Sequence, residues 1–186
     1  KTVSVKNIFD LNLFGFINVL EAVRVLNKKI IIYNFTSTEV DNNKLSPYSL
    51  SKQTSEKIQK IYNNLYKMKI NSIKLNNIFG PGDMNFSRLI PFICKNLCDN
   101  KKFDLNSNNK KLLKFTYVDD LINFLEDAIA NNKINNSDKK IKYHRSGAPN
   151  IYKLLCKLNN KFSKEFIKNN FENKLYATLT WYNENI

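Results

Sequence analysis

Apolar residues follow two kinds of spacing in the first half of the chain, and these predict a helix and then a strand. Residues 8–27 carry apolar side chains at helical intervals and end in a basic turn, which predicts an amphipathic helix. The run at 29–35 is β-branched and aromatic, and it is apolar on both faces. Such a run is typical of a central strand in a parallel sheet.

The same alternation repeats once more. A polar segment over 36–47 is followed by helical spacing over 48–69 and then by a second buried strand at 70–75. The predicted helix has one apolar side, formed by Ile58, Ile61, Leu65 and Met68. The order helix, strand, loop, helix, strand is that of a doubly wound α/β domain.

A Gly-Pro-Gly-Asp sequence at 80–83 predicts a turn, and after it the pattern becomes shorter and more irregular. We therefore predict two domains, an α/β domain over 1–80 and a small substrate-binding lobe over 81–186. Two stretches rich in asparagine and lysine, 106–111 and 131–140, are predicted to be solvated loops. The elements predicted for the lobe are helices at 86–99 and 118–131, strands at 111–116 and 141–144, and two C-terminal helical segments.

Composition and charge narrow the function classes. An apolar share of 42% indicates a folded domain, and no apolar run approaches the roughly 20 residues of a membrane span. The net charge of +14 raises the question of nucleic-acid binding. However, only Arg24, Arg88 and Arg145 are arginines, and the lysines are spread over the whole chain, which indicates a compositional bias rather than a binding patch.

The three cysteines predict neither a disulfide nor a metal site. Cys94 and Cys98 are four residues apart and would share one helix face, a spacing that suits packing. The single histidine, His144, belongs to no evident cluster of metal ligands. We expect reduced thiols, no bound metal and a cytoplasmic protein.

Candidate chemistry begins with Tyr48 and Lys52 at the start of the second helix. Four residues apart, they share one helix face, and an ammonium beside a phenol favours the phenolate. Such a tyrosine can take a proton from a sugar hydroxyl while hydride leaves the same carbon. In a chain so rich in lysine and tyrosine, one such pair is also expected by chance.

Ser37 directly follows the first strand, at the carboxyl end where open α/β sheets place their ligand crevice. A serine hydroxyl there could bond a substrate oxygen and share its proton with Tyr48. Thr36, Ser37 and Thr38 fit an alternative equally well, in which they form a polar strand end that caps a loop and have no role in chemistry.

Several segments resemble the extended short-chain dehydrogenase/reductase family, in particular its NAD-dependent nucleotide-sugar epimerases and dehydratases. FTSTEV is similar to the family's strand-end motif with the catalytic serine or threonine, and PYSLSK contains its Tyr-x-x-x-Lys motif. The matches run in family order across nearly the whole chain. The other similar segments are NLFGFINVLEA at 12–22, KLNNIFGPGD at 74–83, SRLIPFI at 87–93, FTYVDDL at 115–121 and LYATLTWYNEN at 175–185.

The resemblance implies a Rossmann-like parallel sheet, here only part of one, with a small α/β substrate lobe, NAD as cofactor and a nucleotide-sugar as substrate. It makes Tyr48 the acid/base, and Lys52 the residue that holds the nicotinamide ribose and activates Tyr48. Ser37 would bond the sugar hydroxyl, and Glu39 would serve acid/base steps beyond oxidation. Asn12 and Asn76 would lie near the cofactor, and Asn77 and Arg88 near the substrate diphosphate or base. Family members are often homodimers.

This sequence departs from the family pattern in one large respect. Its four glycines do not form the Gly-x-x-Gly-x-x-Gly turn that holds the NAD pyrophosphate. We therefore expect either a fragment of a longer enzyme, or half of a split enzyme completed by a partner chain, or a non-catalytic remnant. The family's phosphate-binding arginine before FTYVDD is replaced by Leu113 with Lys114 beside it. Epimerase, dehydratase and decarboxylase chemistry all stay open.

Overall fold

Parallel strand pairing between helices organises the chain, as the alternation of apolar patterns predicts. The computed structural model describes residues 4–26, 29–41, 45–105, 112–130, 141–160 and 169–186. The described residues form two compact units, one ending at Asn76 and one beginning at Asn77, called here the first unit and the second unit. The α/β class with parallel sheets is confirmed.

The first unit opens with one continuous helical segment in three parts. Helix α1 (Val5–Phe9) leads into a π-helical turn (Asp10–Phe14), and helix α2 (Gly15–Leu26) continues from it. The backbone N–H of Gly15 bonds to the carbonyl of Asp10, five residues back, which is the wider spacing of a π-helix. The sequence predicts this helix but not its widened turn.

Two parallel strands and one long helix complete the first unit. Strand β1 (Ile31–Ser37) pairs with β2 (Lys69–Leu75), and Ser37 lies opposite Leu75 at the carboxyl ends. A short 3-10 helix (Thr38–Asp41) follows β1, and helix α3 (Pro47–Tyr66) connects the two strands.

Helix α3 begins and ends where local chemistry dictates. The side chain of Ser46 accepts a hydrogen bond from the N–H of Ser49, and the Ser49 hydroxyl accepts one from the N–H of Ser46. The two residues thus form a capping box, with Pro47 at the first helical position. The helix stops at Lys67, which adopts the left-handed conformation with φ 53°. The predicted end at residue 69 is therefore three residues too late.

The apolar side predicted for α3 is not its buried side. Ile61 and Leu65 are 47% and 68% exposed, and Met68 lies beyond the end of the helix. The buried side consists of small or polar residues, listed as Ser49, Ser51, Ser55 and Gln59. The apolar pattern correctly predicts a helix. The side of α3 that packs against the rest of the first unit, however, consists of residues small enough for close approach or able to form hydrogen bonds.

The second unit contains a three-stranded sheet and four helices among its described residues. Strand β3 (Asn77–Phe79) runs parallel to β4 (Leu113–Tyr117), and β4 pairs antiparallel with β5 (His144–Ser146). The predicted strand at 141–144 is thus displaced towards 146. The helices are α4 (Leu89–Cys98), α5 (Val118–Ala130), α6 (Ala148–Asn160) and α7 (Asn170–Asn185). The stretches predicted as loops at 106–111 and 131–140 lie outside the described residues.

The core of the second unit is apolar and aromatic. Phe79 of β3 meets the rings of Phe115 and Tyr117 of β4, and it also meets Phe171 of α7, at centroid distances between 5.4 and 6.4 Å. Cys94 is buried in the same core and is not in a disulfide. Its burial raises the pKa of the thiol, which keeps it protonated. Fully buried side chains from three helices close the core, namely Ile93, Ile151, Leu155 and Leu175.

Gly80 marks the beginning of the predicted turn, and its geometry requires glycine. Its φ of +157° lies at the edge of the region that side chains rarely adopt, and a Cβ there would come within 2.5 Å of Val118 Cγ1. In the part of the chain that the structure describes, no helix is both long and apolar enough to cross a membrane.

Candidate functional site

The carboxyl end of β1, where the sequence predicts a ligand crevice, carries two hydroxyl side chains in succession. Thr36 is buried, and its Oγ1 has no hydrogen-bond partner among the described residues. Ser37 is the last residue of the strand and is half-buried. Because β1 and β2 are parallel, the carboxyl end of β2 lies at the same edge.

Lys52 connects helix α3 to this strand end. Its Nζ donates a hydrogen bond to the backbone carbonyl of Phe35 at 3.2 Å, two residues before Ser37. Lys52 is half-buried, and this burial lowers the pKa of its ammonium because burial penalises the charged form. The structure therefore places the predicted cation beside the strand that carries the predicted serine.

Tyr48 lies one helical turn before Lys52, in the first turn of α3. Its side chain is 40% exposed. Residues four apart on a helix share a face, so the phenol and the ammonium lie on the same side of α3. The phenol of Tyr48 is therefore accessible from solvent.

The backbone of Tyr48 is held by a serine that the sequence reasoning missed. Ser51 Oγ donates to the carbonyl of Tyr48 at 2.8 Å and accepts from Asn12 Nδ2 at 3.2 Å. Asn12 lies within the π-helical turn. The signal in the sequence was the spacing of Ser51, Ser55 and Gln59, small or polar residues four apart on one helix face.

Asn76 lies at the same end of the sheet, just after β2. Thr38 Oγ1 lies 3.3 Å from Asn76 Oδ1 and 3.4 Å from the carbonyl of Leu75, so it can donate to either acceptor. The structure therefore brings Asn76 close to the residue that follows Ser37. Glu39 belongs to the 3-10 helix, but its side chain lies outside the described residues.

Asn77 and Arg88 belong to the second unit. Asn77 Nδ2 donates to the backbone carbonyl of Lys114 at 3.0 Å, so this amide ties β3 to β4. Arg88 precedes α4, and its guanidinium lies 3.1 Å from the carboxylate of Asp83. An exposed ion pair of this kind is weak and can exchange for another anion. Lys114 Nζ lies 5.1 Å from the ring centre of Tyr143.

Ser37 of β1 and Tyr48 and Lys52 of α3 carry side chains of the types that perform acid/base chemistry on an alcohol. A phenol can take up the proton, a hydroxyl can share it, and an ammonium can stabilise the resulting negative charge. No group of three or more potential metal ligands occurs within the described ranges. The roles assigned to the individual residues stay predictions.

A model of the NAD dependent epimerase/dehydratase family matches residues 4–141 of the chain. The matched span is well over half of the 186 residues and includes the end of β1 and the whole of α3. It also extends through β4 and α5 of the second unit.

Curated relatives are similar over shorter stretches. The protein CapI of Staphylococcus aureus is 25% identical over 126 residues, which are 61% of this chain and 37% of CapI. A UDP-glucuronate 4-epimerase of Thermodesulfobacterium geofontis is 27% identical over 128 residues, 60% of this chain and 38% of the relative. A dTDP-D-glucose 4,6-dehydratase of Dictyostelium discoideum is 28% identical over 94 residues, 50% and 21% respectively. The chain thus spans less than half the length of these relatives.

Solved structures show the same fold over nearly the whole chain. The capsular polysaccharide assembling protein CapF from Staphylococcus aureus superposes with a TM-score of 0.79 at 24% identity, covering 90% of this chain and 46% of CapF. The dTDP-glucose 4,6-dehydratase from Bacillus anthracis, solved in complex with NAD, also gives 0.79 at 19% identity, covering 99% and 71%.

Proposed function

The chain belongs to the NAD dependent epimerase/dehydratase family, and from this premise we propose that it carries the acid/base residues of a nucleotide-sugar epimerase or dehydratase. The observation that supports the proposal best is the hydrogen bond from Lys52 Nζ to the carbonyl of Phe35. That bond brings the ammonium to the strand end that carries Ser37, with Tyr48 one turn away on α3.

The polar groups at the end of β1 fit NAD as the cofactor. The orphaned hydroxyl of Thr36 and the ammonium of Lys52 are a donor pair that a dinucleotide ribose or amide could use. In this proposal Lys52 and Tyr48 hold the nicotinamide ribose, with Asn12 and Asn76 close to the cofactor. NAD, when bound, would supply reversible hydride acceptance from the sugar carbon.

Tyr48 would remove the proton from the sugar hydroxyl that becomes a ketone. Ser37 would bond the same oxygen and orient it, and the positive charge of Lys52 would stabilise the tyrosinate. Once the ketone has formed, Tyr48 would return the proton when the sugar is reduced again. Asn77 and Arg88 of the second unit would approach the diphosphate or base of the substrate, with Arg88 exchanging Asp83 for a phosphate oxygen.

Glu39 would decide what happens to the ketone between the two hydride transfers. A carboxylate placed two residues after Ser37 can move a proton at a neighbouring carbon, which a dehydratase requires and a simple epimerase does not. Relatives of both kinds are similar to this chain. Glu39→Gln should leave epimerisation intact and abolish dehydration, so one substitution separates the two reactions.

The direct test is turnover with NAD and a panel of UDP-, dTDP- and CDP-sugars. Tyr48→Phe should lower kcat by about 10²- to 10⁴-fold because it removes the acid/base group and keeps the ring. Tyr66→Phe is a matched control, since Tyr66 lies at the far end of the same helix. Equal activity of Tyr48→Phe and wild type would contradict the proposed mechanism.

A second candidate role is that of a non-catalytic remnant or of one half of a split enzyme. In this role the glycine-rich turn that holds the NAD pyrophosphate would be lost or would come from a partner chain. Calorimetry with NAD distinguishes the two roles. Binding with turnover supports the enzyme, and the absence of both, even at millimolar NAD, supports the second candidate.

A further inference from the structure

The hydroxyl of Ser51 joins the π-helical turn to the first turn of α3, and we propose that Ser51 is a positioning residue for Tyr48 and Lys52. This inference rests on the proposed function, because it assigns Ser51 a role in the reaction of those two residues. Ser51 itself would not touch the substrate. It would act by holding the backbone from which Tyr48 and Lys52 project.

The hydroxyl of Ser51 donates one hydrogen bond and accepts another. Ser51 is fully buried, and its single proton goes to the carbonyl of Tyr48 at 2.8 Å. A lone pair of the same oxygen accepts from Asn12 Nδ2 at 3.2 Å. A hydroxyl has one donor and two acceptor sites, so both bonds form at once. Ser51 is therefore a bridge between Asn12 and Tyr48 and is more than a small residue that allows close packing.

The π-helical turn explains why Asn12 can reach α3. In the turn Asp10–Phe14 the backbone bond runs to the fifth residue, so the helix is locally wider than an α-helix. Such turns are rare and occur mostly as single turns inside α-helices, frequently at functional sites. The bond from Asn12 to Ser51 joins this turn to α3.

Two anchors, which are side-chain hydrogen bonds, hold the stretch of α3 from Tyr48 to Lys52. The carbonyl of Tyr48, which accepts the helical bond of residue 52, takes a second bond from Ser51. On the other side, the ammonium of Lys52 is bonded to the carbonyl of Phe35 on β1. The start of α3 is thus tied both to the π-helical turn and to the strand that ends in Ser37. Loss of the Ser51 bridge would remove one of these two anchors and leave the other to the longer and more flexible lysine.

Ser55 provides a matched control one turn later on the same buried face. It is 1% exposed, and its Oγ donates to the carbonyl of Lys52 at 2.8 Å, the same type and length of bond as that of Ser51. Removing either hydroxyl costs one buried bond within the helix. Only Ser51 is bonded to Asn12 of the π-helical turn and to the carbonyl of Tyr48.

The experiment compares Ser51→Ala with Ser55→Ala in the NAD-dependent turnover assay. For Ser51→Ala we expect kcat to fall about tenfold, the equivalent of one lost hydrogen bond, with KM for NAD and nucleotide-sugar within about twofold of wild type. Ser55→Ala should keep kcat while losing a similar amount of thermal stability. Ser51→Thr, which retains a hydroxyl able to bond the carbonyl three residues back, should recover part of the lost kcat.

A double-mutant cycle adds the partner residue. If the bridge acts as a unit, Asn12→Ala and Ser51→Ala together should lower kcat by less than the product of their separate effects. Equal kcat for Ser51→Ala and Ser55→Ala would overturn the inference. The inference would also be overturned if kcat fell in proportion to the loss of thermal stability in all the variants, Ser55→Ala included.

Hydrogen exchange at the amide of Lys52 separates failure of this inference from failure of the proposed function. If the wild-type chain by itself shows no turnover, the proposed function fails for this chain, and exchange still tests the bridge. Faster exchange in Ser51→Ala and Asn12→Ala than in Ser55→Ala supports the bridge. Equal exchange in all three variants contradicts it.

Discussion

The two units bury different kinds of side chain where their helices meet their strands. In the first unit, the buried side of α3 consists of small or polar residues such as Ser51, Ser55 and Gln59. In the second unit, the core between helices and sheet is aliphatic and aromatic, with Phe79 of β3, Leu155 of α6 and Leu175 of α7. The second unit is therefore stabilised mainly by apolar burial, and the first unit relies in addition on directed hydrogen bonds. Directed bonds fix positions, which is what a site for proton transfer needs.

Gln59 is the centre of the polar interior of the first unit. Its Oε1 accepts from Asn34 Nδ2 at 3.2 Å and from Ser72 Oγ at 2.7 Å, and its Nε2 donates to the carbonyl of Ile70 at 3.1 Å. One amide thus links α3 to both strands. Apolar residues at this position could pack but could not set the register of the helix on the strands.

The largest expected effect comes from an apolar deletion in the second unit. Leu155→Ala should lower the free energy of unfolding by about 2–5 kcal/mol, because Leu155 is fully buried and the substitution leaves a cavity. The matched control is Leu65→Ala on α3, where the same chemical change at a 68% exposed site should cost less than about 0.5 kcal/mol. Urea denaturation measures both. A large loss for Leu65→Ala would show that the apolar side of α3 is covered in solution.

A polar deletion in the first unit should have an intermediate effect. Gln59→Ala should cost about 1–3 kcal/mol, because it leaves the buried groups of Asn34, Ser72 and Ile70 without this partner. Gln53→Ala, an exposed glutamine on the same helix, controls for helix propensity. If both variants are equally stable in urea, the polar interior of the first unit contributes no stability and the contrast between the units is wrong.

The smallest effect concerns the pH dependence of the second unit. Burial and the neighbouring Lys174 lower the pKa of His144, whereas Asp120 opposes them. His144 stacks on Phe171 at 4.5 Å, and Lys174 Nζ pairs with Asp120 at 2.5 Å. The folded state therefore binds a proton on His144 less readily than the unfolded chain does, so stability is lost as pH falls below the unfolded value of about 6.5.

This dependence can be assigned to one residue, because His144 is the only histidine of the chain. The melting temperature should fall slightly between pH 7.5 and 5.5 in the wild type and stay nearly level in His144→Phe. A wild-type melting temperature that rises over the same interval would reverse the sign and contradict the assignment.

Much of the fold follows from local pattern. The helices and strands of the first unit were predicted within a few residues, because apolar periodicity and the capping serine and proline act over one or two turns. The positions of Ser37, Tyr48 and Lys52 at a strand end and a helix start followed from the same order of elements. Their roles came from the resemblance and stay predictions.

Other features could not be predicted because they depend on partners distant in sequence. The widened turn at Asp10–Phe14 and the bridge from Asn12 to Ser51 join residues 39 positions apart. The apolar side of α3 is not its buried side, because apolar periodicity locates a stripe of side chains but does not say which surface will cover it. Buried serines are invisible to a hydrophobic pattern, since their burial depends on the bonds they find.

The sequence by itself determined that this chain forms an α/β fold with parallel strands, and which residue types stand at the ends of β1 and the start of α3. Local backbone preferences and apolar spacing are enough for that. Only the tertiary structure decided that Lys52 reaches the carbonyl of Phe35, that Ser51 holds the backbone of Tyr48, and that Ile61 and Leu65 face outward. The physical reason is that hydrogen bonds and burial depend on which groups meet in space, and spacing along the chain does not contain that information.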